Sequence, residues 1–264
     1  MEKPNIRILI LVNTIAFVVM LAVNTLSNTL PLNGKTPAQI SDLYPNLFVP
    51  AGGTFSIWGI IYTWLLVFVI WQIIALFSSK HLSNISPIIQ KLGWAFVLTC
   101  IFNVAWLFAW HWAFLWLSVL LMLGLFSSLI ALNLQMGQGF SKINTTEKWL
   151  IHAPFGIYMG WISVATIANI TAVLVAQQWT GWGLTDANWA FFMILAGTLI
   201  ASFVLRKQNN LFYGLAVLWA LNGIRLKRAT DISAISHQLE LSTSYAMIAL
   251  LVVIVVKTRA WYKY

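Results

Sequence analysis

Charged side chains are scarce in this sequence. Asp, Glu, Lys and Arg make up 8% of the 264 residues, whereas 60% of the residues are hydrophobic and the mean hydropathy is +0.84. A soluble domain carries about 25% charged residues. The composition therefore excludes an ordinary soluble domain and predicts a protein with several membrane-spanning helices.

Acidic residues are especially few, and none falls in the middle of an apolar run. All of them lie in predicted loops or at run ends: Glu2, Asp42, Glu147, Asp186, Asp231 and Glu240. Ion-coupled transporters and membrane proteases keep ionisable groups inside the bilayer because their function uses them. The sequence also lacks an H-E-x-x-H motif, a phosphate-binding glycine loop and clustered carboxylates. These absences argue against ion-coupled transport and metal catalysis, so we expect neither a catalytic nor a metal site.

Cysteine and histidine add little chemistry. Cys100 is the only cysteine, which excludes an intrachain disulfide, and we expect it to pack inertly inside a span. Four histidines are scattered along the chain. His111 or His152 could ligate a haem, but a single histidine near a span end more often forms an interfacial hydrogen bond.

The net charge of +9 comes from 15 basic residues against 6 acidic ones. In a soluble protein this balance would indicate nucleic acid, but here the basic residues lie at the ends of apolar runs. Anionic lipid and the orientation rule explain them in that position. We therefore expect the lipid bilayer as a partner and no nucleic acid.

Charge-free runs divide the chain into predicted spans, since a helix needs about 20 apolar residues to cross a bilayer. The runs are residues 8–26, 51–77, two within 92–141, 149–176, 188–205, 211–224 and 241–256. A turn near His111 and Trp112 separates the third span from the fourth. The run 211–224 is marginally short, so seven or eight spans are open, and we expect eight. The predicted fold class is an all-α integral membrane protein.

The distribution of basic residues predicts a cytoplasmic N-terminus. With eight spans, eleven Lys and Arg residues face the cytoplasm: Lys3, Arg7, Lys80, Lys91, Lys142, Lys148, Arg206, Lys207, Lys257, Arg259 and Lys263. Four lie outside: Lys35, Arg225, Lys227 and Arg228. The split is again 11 to 4 if residues 211–224 do not cross, so charge favours this orientation without choosing the span number. The first apolar run is long and no A-x-A-like cleavage site follows it, which predicts a retained helix rather than a signal peptide. We expect a bacterial inner membrane because no transit peptide is evident.

The start of the second span carries an aromatic face. Phe55, Trp58 and Tyr62 are spaced i, i+3, i+7 after Pro50, so they lie along one side of a helix. The polar tips of Trp and Tyr need partners when they are buried. Such a face predicts either a pocket for a flat apolar ligand or a packing seam. The preceding polar segment, residues 27–49, is long for a connection and is either a lid or a plain surface loop.

Two other spans pair amides with tryptophans. Asn103 and Trp106 are i, i+3 on the third span, and Trp110 continues that face. On the fifth span Trp161, Ala165 and Asn169 are i, i+4, i+8, near the small residues Gly156, Gly160 and Ser163. Periodicity alone favours packing, with each Asn bonding across the bundle and each Trp filling space.

These patterns together resemble the TspO/MBR family, also called tryptophan-rich sensory proteins, translocator proteins or peripheral benzodiazepine receptors. The second span matches a proline-led aromatic helix with W-x-x-x-Y, at Pro50, Phe55, Trp58 and Tyr62. The third matches N-x-x-W at Asn103 and Trp106, and the fifth matches Y-x-x-W-x-x-x-(A/T)-x-x-x-N at Tyr158, Trp161, Ala165 and Asn169. Three patterns in the right order are more specific than any one of them in a chain with 15 Trp.

The resemblance implies a fold and a ligand. Residues 1–176 would form a five-helix core, with residues 27–49 as its lid, and residues 177–264 would form an extension of two or three further spans. Members bind porphyrins, and sterols in animal forms, in a pocket between helices, and they are commonly homodimers. By resemblance the pocket residues are Phe55, Trp58, Tyr62, Asn103, Trp106, Tyr158, Trp161, Ala165 and Asn169. The lid would contribute Pro31, Asn33 and Pro50.

The sequence departs from the family in three places. The first loop carries Leu30-Pro31-Leu32-Asn33-Gly34 instead of a W-Y-x-x-L-K-K-P-like run, and Pro154 precedes Tyr158 by four residues rather than directly. Residues 188–264 have no counterpart in the short members. We therefore expect a receptor or sensor that binds a planar hydrophobic ligand such as a tetrapyrrole and holds no obligatory cofactor. An uncoupled carrier, or a structural membrane protein without a small ligand, remains open, and porphyrin breakdown ranks last.

Overall fold

A computed structural model describes residues 5–137 and 145–261, with side chains up to residue 258. These parts contain eleven α-helices: α1 Ile6–Thr29, α2 Pro37–Asp42, α3 Ile57–Ala75, α4 Ser79–Leu92, α5 Ala95–His111, α6 Leu115–Gly137, α7 Thr145–Glu147, α8 Ala153–Ala176, α9 Asp186–Gln208, α10 Leu211–Ala229 and α11 Ala234–Trp261. Short 3₁₀ turns occupy Leu32–Gly34, Gly52–Ser56 and Gly181–Gly183, and a π-helical turn occupies Lys148–His152. Glu2, Lys3, Lys142 and Lys263, together with the side chain of Arg259, lie outside the described residues.

Six of the described helical segments are long and apolar enough to span a membrane. They are Ile6–Thr29, Gly52–Ala75, Leu115–Met136, Thr145–Ala176, Asp186–Gln208 and Ala234–Thr258. A seventh span results if α4 and α5, which are bent by 54° at their junction, cross as one unit. The all-α membrane fold is confirmed, whereas the expected number of eight spans is not.

Five helices within residues 1–176 pack in a closed ring. Around the ring α1 packs on α5, α5 on α6, α6 on α8, α8 on α3 and α3 on α1. The turn between α5 and α6 falls at residues 112–114, where it was predicted, and Ala113 adopts a left-handed conformation there. The buried side chains of Trp58, Trp106 and Trp161 are carried by helices of this ring, so the ring positions the candidate site.

Residues 79–92 form a helix where the sequence suggested a polar connection. Ser78 caps its N-terminus by accepting a hydrogen bond from the His81 amide at 3.3 Å. Only Ile85, Ile89 and Leu92 are buried, at helical spacing, so one narrow apolar stripe docks α4 against the ring. The segment contains so many serines and lysines that these three apolar residues did not indicate a helix.

α10 is the helix that joins the C-terminal part to the ring. It packs against α8, α9 and α11, yet it has three cationic residues in its last five positions, at Arg225, Lys227 and Arg228, and is not among the candidate spans. Small residues let it approach α8 closely: a Cβ added at Gly160 would lie 2.5 Å from the Tyr213 carbonyl oxygen. The C-terminal helices are therefore packed directly on the core.

The start of α3 is also fastened by α10. The Trp219 indole donates to the Thr54 carbonyl at 2.8 Å, and the Ala51 amide donates to the Gly223 carbonyl at 3.0 Å. These bonds satisfy backbone groups in the turn that leads from Pro50 into α3. The aromatic face of α3 thus has a fixed position relative to both α8 and α10.

Candidate functional site

Trp58 is the centre of an aromatic cluster inside the ring. Its indole stacks on the Tyr62 ring, with centroids 5.3 Å apart and planes 10° apart. It meets Tyr158 and Trp161 edge-on at 5.8 and 6.1 Å, and Trp106 lies 6.4 Å away. Offset and edge-to-face pairs of this kind are the favoured aromatic arrangements. The three sequence patterns on α3, α5 and α8 therefore converge on one place.

A small cavity of about 40 Å³ adjoins this cluster. Seven of the predicted residues line it: Phe55, Trp58, Trp106, Trp161, Ala165, Asn169 and Pro50. None of the eleven lining residues carries a charge. Ligand pockets usually have about 300–1,000 Å³, so the cavity as it stands holds a water molecule or two rather than a macrocycle.

Asn169 fixes one wall of the cavity. Its Oδ1 accepts a hydrogen bond from Trp106 Nε1 at 3.0 Å, and its Nδ2 donates to Ser118 Oγ at 2.9 Å. These bonds tie α8 to α5 and α6. Asn169 therefore serves both as a helix clamp and as a polar group beside the cavity.

Asn103 belongs to a separate hydrogen-bond network that does not line the cavity. Its Oδ1 accepts from Asn24 Nδ2 at 2.7 Å, and its Nδ2 donates to the Tyr158 hydroxyl at 2.8 Å and, more weakly, to the Tyr62 hydroxyl at 3.4 Å. Four helices meet in this network, which is buried throughout. Asn103, Tyr62 and Tyr158 do not line the cavity, so the structure places them as a polar support for the stacked Trp58.

Trp161 has an unusual polar environment. Its side chain lines the cavity, yet its Nε1 is buried and has no hydrogen-bond partner among the described residues. A buried N–H donor without a partner is costly, and native structures normally satisfy it with protein, water or a ligand. Trp161 therefore holds an unused donor in a side chain that lines the cavity.

The lid loop (residues 27–49) contributes Ser41 to the cavity wall and contains the short helix α2. α1 extends to Thr29, so the irregular part begins later than predicted. Asn33, in a left-handed conformation, donates to the His111 carbonyl at 2.9 Å, whereas Pro31 is exposed and does not line the cavity.

Buried side chains and polar contacts hold this lid loop in place, and Ile40 and Phe48 belong to the core. Besides the Asn33 bond, Trp110 Nε1 donates to the Pro37 carbonyl at 3.3 Å, and Lys227 forms an ion pair with Asp42 at 2.7 Å. Ser41 and Pro50 complete the lining of the cavity. The lid loop is therefore secured by both α5 and α10.

Histidine and metal sites are not part of this arrangement. His111 ends α5 with its Nδ1 2.7 Å from the Leu107 carbonyl oxygen, and His152 lies in the π-helical turn before α8. Neither lines the cavity. Among the described residues, no group of three or more His, Cys, Asp or Glu is arranged to hold a metal ion.

The profile of one protein family, described as TSPO-like protein, matches residues 9–257 of the chain. The chain belongs to the TSPO-like protein family. The match covers the C-terminal helices as well as the five-helix ring. No curated protein and no solved structure matches the chain. Family membership together with the apolar helices establishes an integral membrane protein of the TspO type.

Four further residues that line the cavity were not predicted: Ser41, Trp110, Val164 and Ala168. Val164 and Ala168 follow Trp161 at i+3 and i+7, so the helical period of α8 contained this information. Trp110 had been recognised as continuing the Trp106 face, with which it stacks at 6.1 Å. Ser41 lies in the lid loop, and no local signal connects it to the cavity.

Proposed function

We propose that this TSPO-like protein binds a planar hydrophobic ligand of the tetrapyrrole class between α3, α5 and α8, for sensing or handling that ligand within the membrane. The main support is the uncharged aromatic cavity, which is lined by Trp161, a residue whose buried Nε1 has no hydrogen-bond partner among the described residues. Indole rings supply stacking surface, and a buried N–H can donate to a carboxylate or carbonyl of the ligand.

Binding requires the lid loop to move. The cavity of about 40 Å³ is smaller than a site for a macrocycle, and Ser41 is the lining residue that belongs to the lid loop. Displacing Ser41 with the lid loop opens the cavity, while Pro50 stays beside the Ala51 amide that α10 holds. The Lys227–Asp42 pair and the Asn33 bond are partly exposed, which supports opening at this point, whereas Ile40 and Phe48 of the lid loop are packed in the core and must leave it.

We propose binding rather than catalysis. The lining residues supply no carboxylate, histidine, cysteine or amine to transfer a proton or attack a bond. The site is therefore assigned no reaction and no obligatory cofactor.

The test is a protoporphyrin titration of the full chain in nanodiscs, with tryptophan fluorescence and thermal stability followed together. We expect saturable quenching with a matching rise in melting temperature. Trp161→Phe keeps an aromatic ring but removes the donor, and should weaken binding about 2- to 13-fold, as expected for one hydrogen bond of about 0.5–1.5 kcal/mol. Trp58→Phe should weaken binding by more than its change in melting temperature suggests.

Ala165→Phe should block the cavity, and Ala176→Phe, at an exposed position of the same helix, is the matched control. Quenching that neither saturates nor stabilises the protein would refute the proposal and favour a structural role. Flux of porphyrin in liposomes without an ion gradient, lost in Ala165→Phe, would instead assign the same site to an uncoupled carrier.

Orientation and assembly belong to this proposal as well. We infer a cytoplasmic N-terminus from the distribution of basic residues, a bacterial inner membrane because no transit peptide is evident, and a homodimer from the family resemblance. Reporter fusions at the lid loop and at the N-terminus test the orientation, and mass measurement in nanodiscs tests the dimer.

A further inference from the structure

The C-terminal helices create a second and larger cavity outside the aromatic site. α8 and α9 diverge, and an apolar chamber of about 440 Å³ opens between them, with Ile170, Leu174 and Met193 on its walls. This volume lies within the range of about 300–1,000 Å³ that is usual for ligand sites. The chamber shares no lining residue with the aromatic cavity.

Three tryptophans stand at the rim of this apolar chamber. Trp179, Trp182 and Trp189 contact one another with ring centroids 5.0–5.8 Å apart. Trp182 is 81% exposed and has φ of 52°, a left-handed conformation that is unusual for a bulky residue. Trp189 is fixed by a 2.8 Å bond from Nε1 to the Gly181 carbonyl. Exposed indoles of this kind are typical of the level of lipid headgroups.

A polar chamber of about 260 Å³ continues from the apolar one, and the two share Pro45, Asn46 and Asp186 as lining residues. Lys227 and Arg228 also line it. Lys227 is already paired with an acid of the lid loop, as described above. Arg228 is only 7% exposed, and its Nε is buried without a hydrogen-bond partner among the described residues.

The Arg228 guanidinium has one carboxylate neighbour, Asp231, and its Nε donor is still unused, so it can bind a further anion. Arginine binds phosphate particularly well because its planar fork matches the oxygen geometry. A small inorganic anion would satisfy this donor but would leave the adjoining apolar chamber empty. An uncharged flat ligand would fill the apolar chamber but would leave the Arg228 donor unused. The occupant that satisfies both is amphiphilic.

We propose that the two joined chambers bind one membrane phospholipid, whose phosphate contacts Arg228 and whose acyl chain enters the apolar chamber between α8 and α9. The tryptophan rim lies where the glycerol region would sit, at the boundary of polar and apolar surroundings. The polar chamber shares Ser41 with the aromatic cavity, but Arg228 and the apolar chamber take no part in that cavity, so either assignment stands if the other fails.

The test is native mass spectrometry of the full chain in mild detergent, titrated with dioleoyl phosphatidylglycerol or with dioleoylglycerol. The two lipids carry the same acyl chains, and only the first has a phosphate. We expect one saturable phosphatidylglycerol site whose affinity exceeds that for dioleoylglycerol by at least about tenfold, as a charge-assisted hydrogen bond predicts.

Two variants and one control locate the site. Arg228→Gln should abolish the preference for phosphatidylglycerol. Arg225→Gln, three residues earlier on α10 but not lining either chamber, should retain it. Thr171→Phe, which fills the apolar chamber from a half-buried position, should weaken both lipids even if Arg228→Gln does not fold.

Several results would overturn the proposal. These are equal binding of the two lipids, binding that rises without saturation as for a lipid annulus, or an Arg228→Gln variant that folds and keeps the preference. Protection against thermal unfolding by inorganic phosphate alone, equal to that by the lipid, would also contradict it, as would protoporphyrin displacing the lipid from this site.

Discussion

Breaking the ion pair between Lys227 and Asp42 should tighten ligand binding in the aromatic cavity. The pair joins α10 to the lid loop at 2.7 Å, and its side chains are 29% and 54% exposed. Exposed ion pairs contribute about 0.2–1 kcal/mol. If the ligand enters only when the lid loop opens, its apparent dissociation constant is the intrinsic value divided by the open fraction. Loss of the pair should therefore lower the apparent dissociation constant about 1.4- to 5-fold.

Two variants separate opening of the lid loop from simple electrostatics. Lys227→Met and Asp42→Asn break the same pair but change the net charge in opposite directions. Porphyrin carboxylates are anionic, so an electrostatic effect would have opposite signs in the two variants, whereas an effect on opening has the same sign. Asn33→Gly, which keeps the left-handed backbone but removes the bond to the His111 carbonyl, should act in the same direction.

The assay is the protoporphyrin quenching titration in nanodiscs at low and high salt. The gain in affinity of Lys227→Met and Asp42→Asn should shrink at high salt, because salt already weakens an exposed pair in the parent protein. Lys207→Met serves as the control for removal of a positive charge, because Lys207 lies at the C-terminal end of α9 and lines neither the cavity nor the polar chamber. Unchanged or weaker binding in both pair variants, with the protein still folded, would refute entry beneath the lid loop.

Other substitutions test the packing and the polar networks. Gly160→Ala should cost about 1–3 kcal/mol of stability because the added methyl group clashes with the Tyr213 carbonyl. In the control Gly59→Ala the added methyl group meets nothing within 4 Å, so this variant should be neutral or more stable by up to about 1 kcal/mol. Thermal unfolding in nanodiscs compares the two variants. Asn103→Leu should cost about 1–3 kcal/mol because it removes two short buried hydrogen bonds, and a cost equal to zero would show that the network does not hold the helices. Hydrogen bonds from Ser236 and Ser233, at the start of α11, lower the pKa of the Asp231 carboxyl below its usual 3.8. The ionised carboxylate therefore stabilises the fold above that pH, and this stabilisation is lost as the pH falls further. The melting temperature of Asp231→Asn should lie below that of the parent at pH 7, and the two should converge in acid.

Much of the core was predictable because its patterns are local. Helical spacing on α3, α5 and α8 brought Trp58, Trp106 and Trp161 to one place, as their sequence patterns indicated. The family itself could be recognised from these same residues. What spacing could not show is how far apart the helices stand, and therefore whether an aromatic face encloses a cavity or packs against its neighbours.

Asn103 illustrates that limit. Its periodicity favoured a bond across the bundle and the family resemblance a pocket role, but neither named its partners, Asn24 from α1 and Tyr158 from α8. The buried bond between Asn13 and Gln72, which links α1 to α3 at 3.1 Å, was not singled out either. Amide side chains can bond to any neighbouring helix, so their partners follow from the arrangement of the ring and not from the period of one helix.

The C-terminal helices were the least predictable part. Hydropathy measures how well a helix suits lipid, whereas α10 is surrounded mostly by protein, including α8 and α11. Arg228 lies at its end, and its burial depends on the lid loop and α9, which are distant in sequence. The chamber that it lines could not be read from any single segment.

The glycine-mediated contact of α8 with α10 has a consequence for how the protein is made. The face of α8 that carries Gly156 and Gly160 packs on α10, so it lacks this neighbour until α10, some fifty residues later, has left the ribosome. α10 has too many cations to partition stably into lipid by itself, so its burial requires that α8 and α9 already be in the bilayer. The ring therefore acquires its final packing only near the end of translation, and a stalled or shortened chain would present an unfinished α8 surface to the quality-control proteases of the membrane.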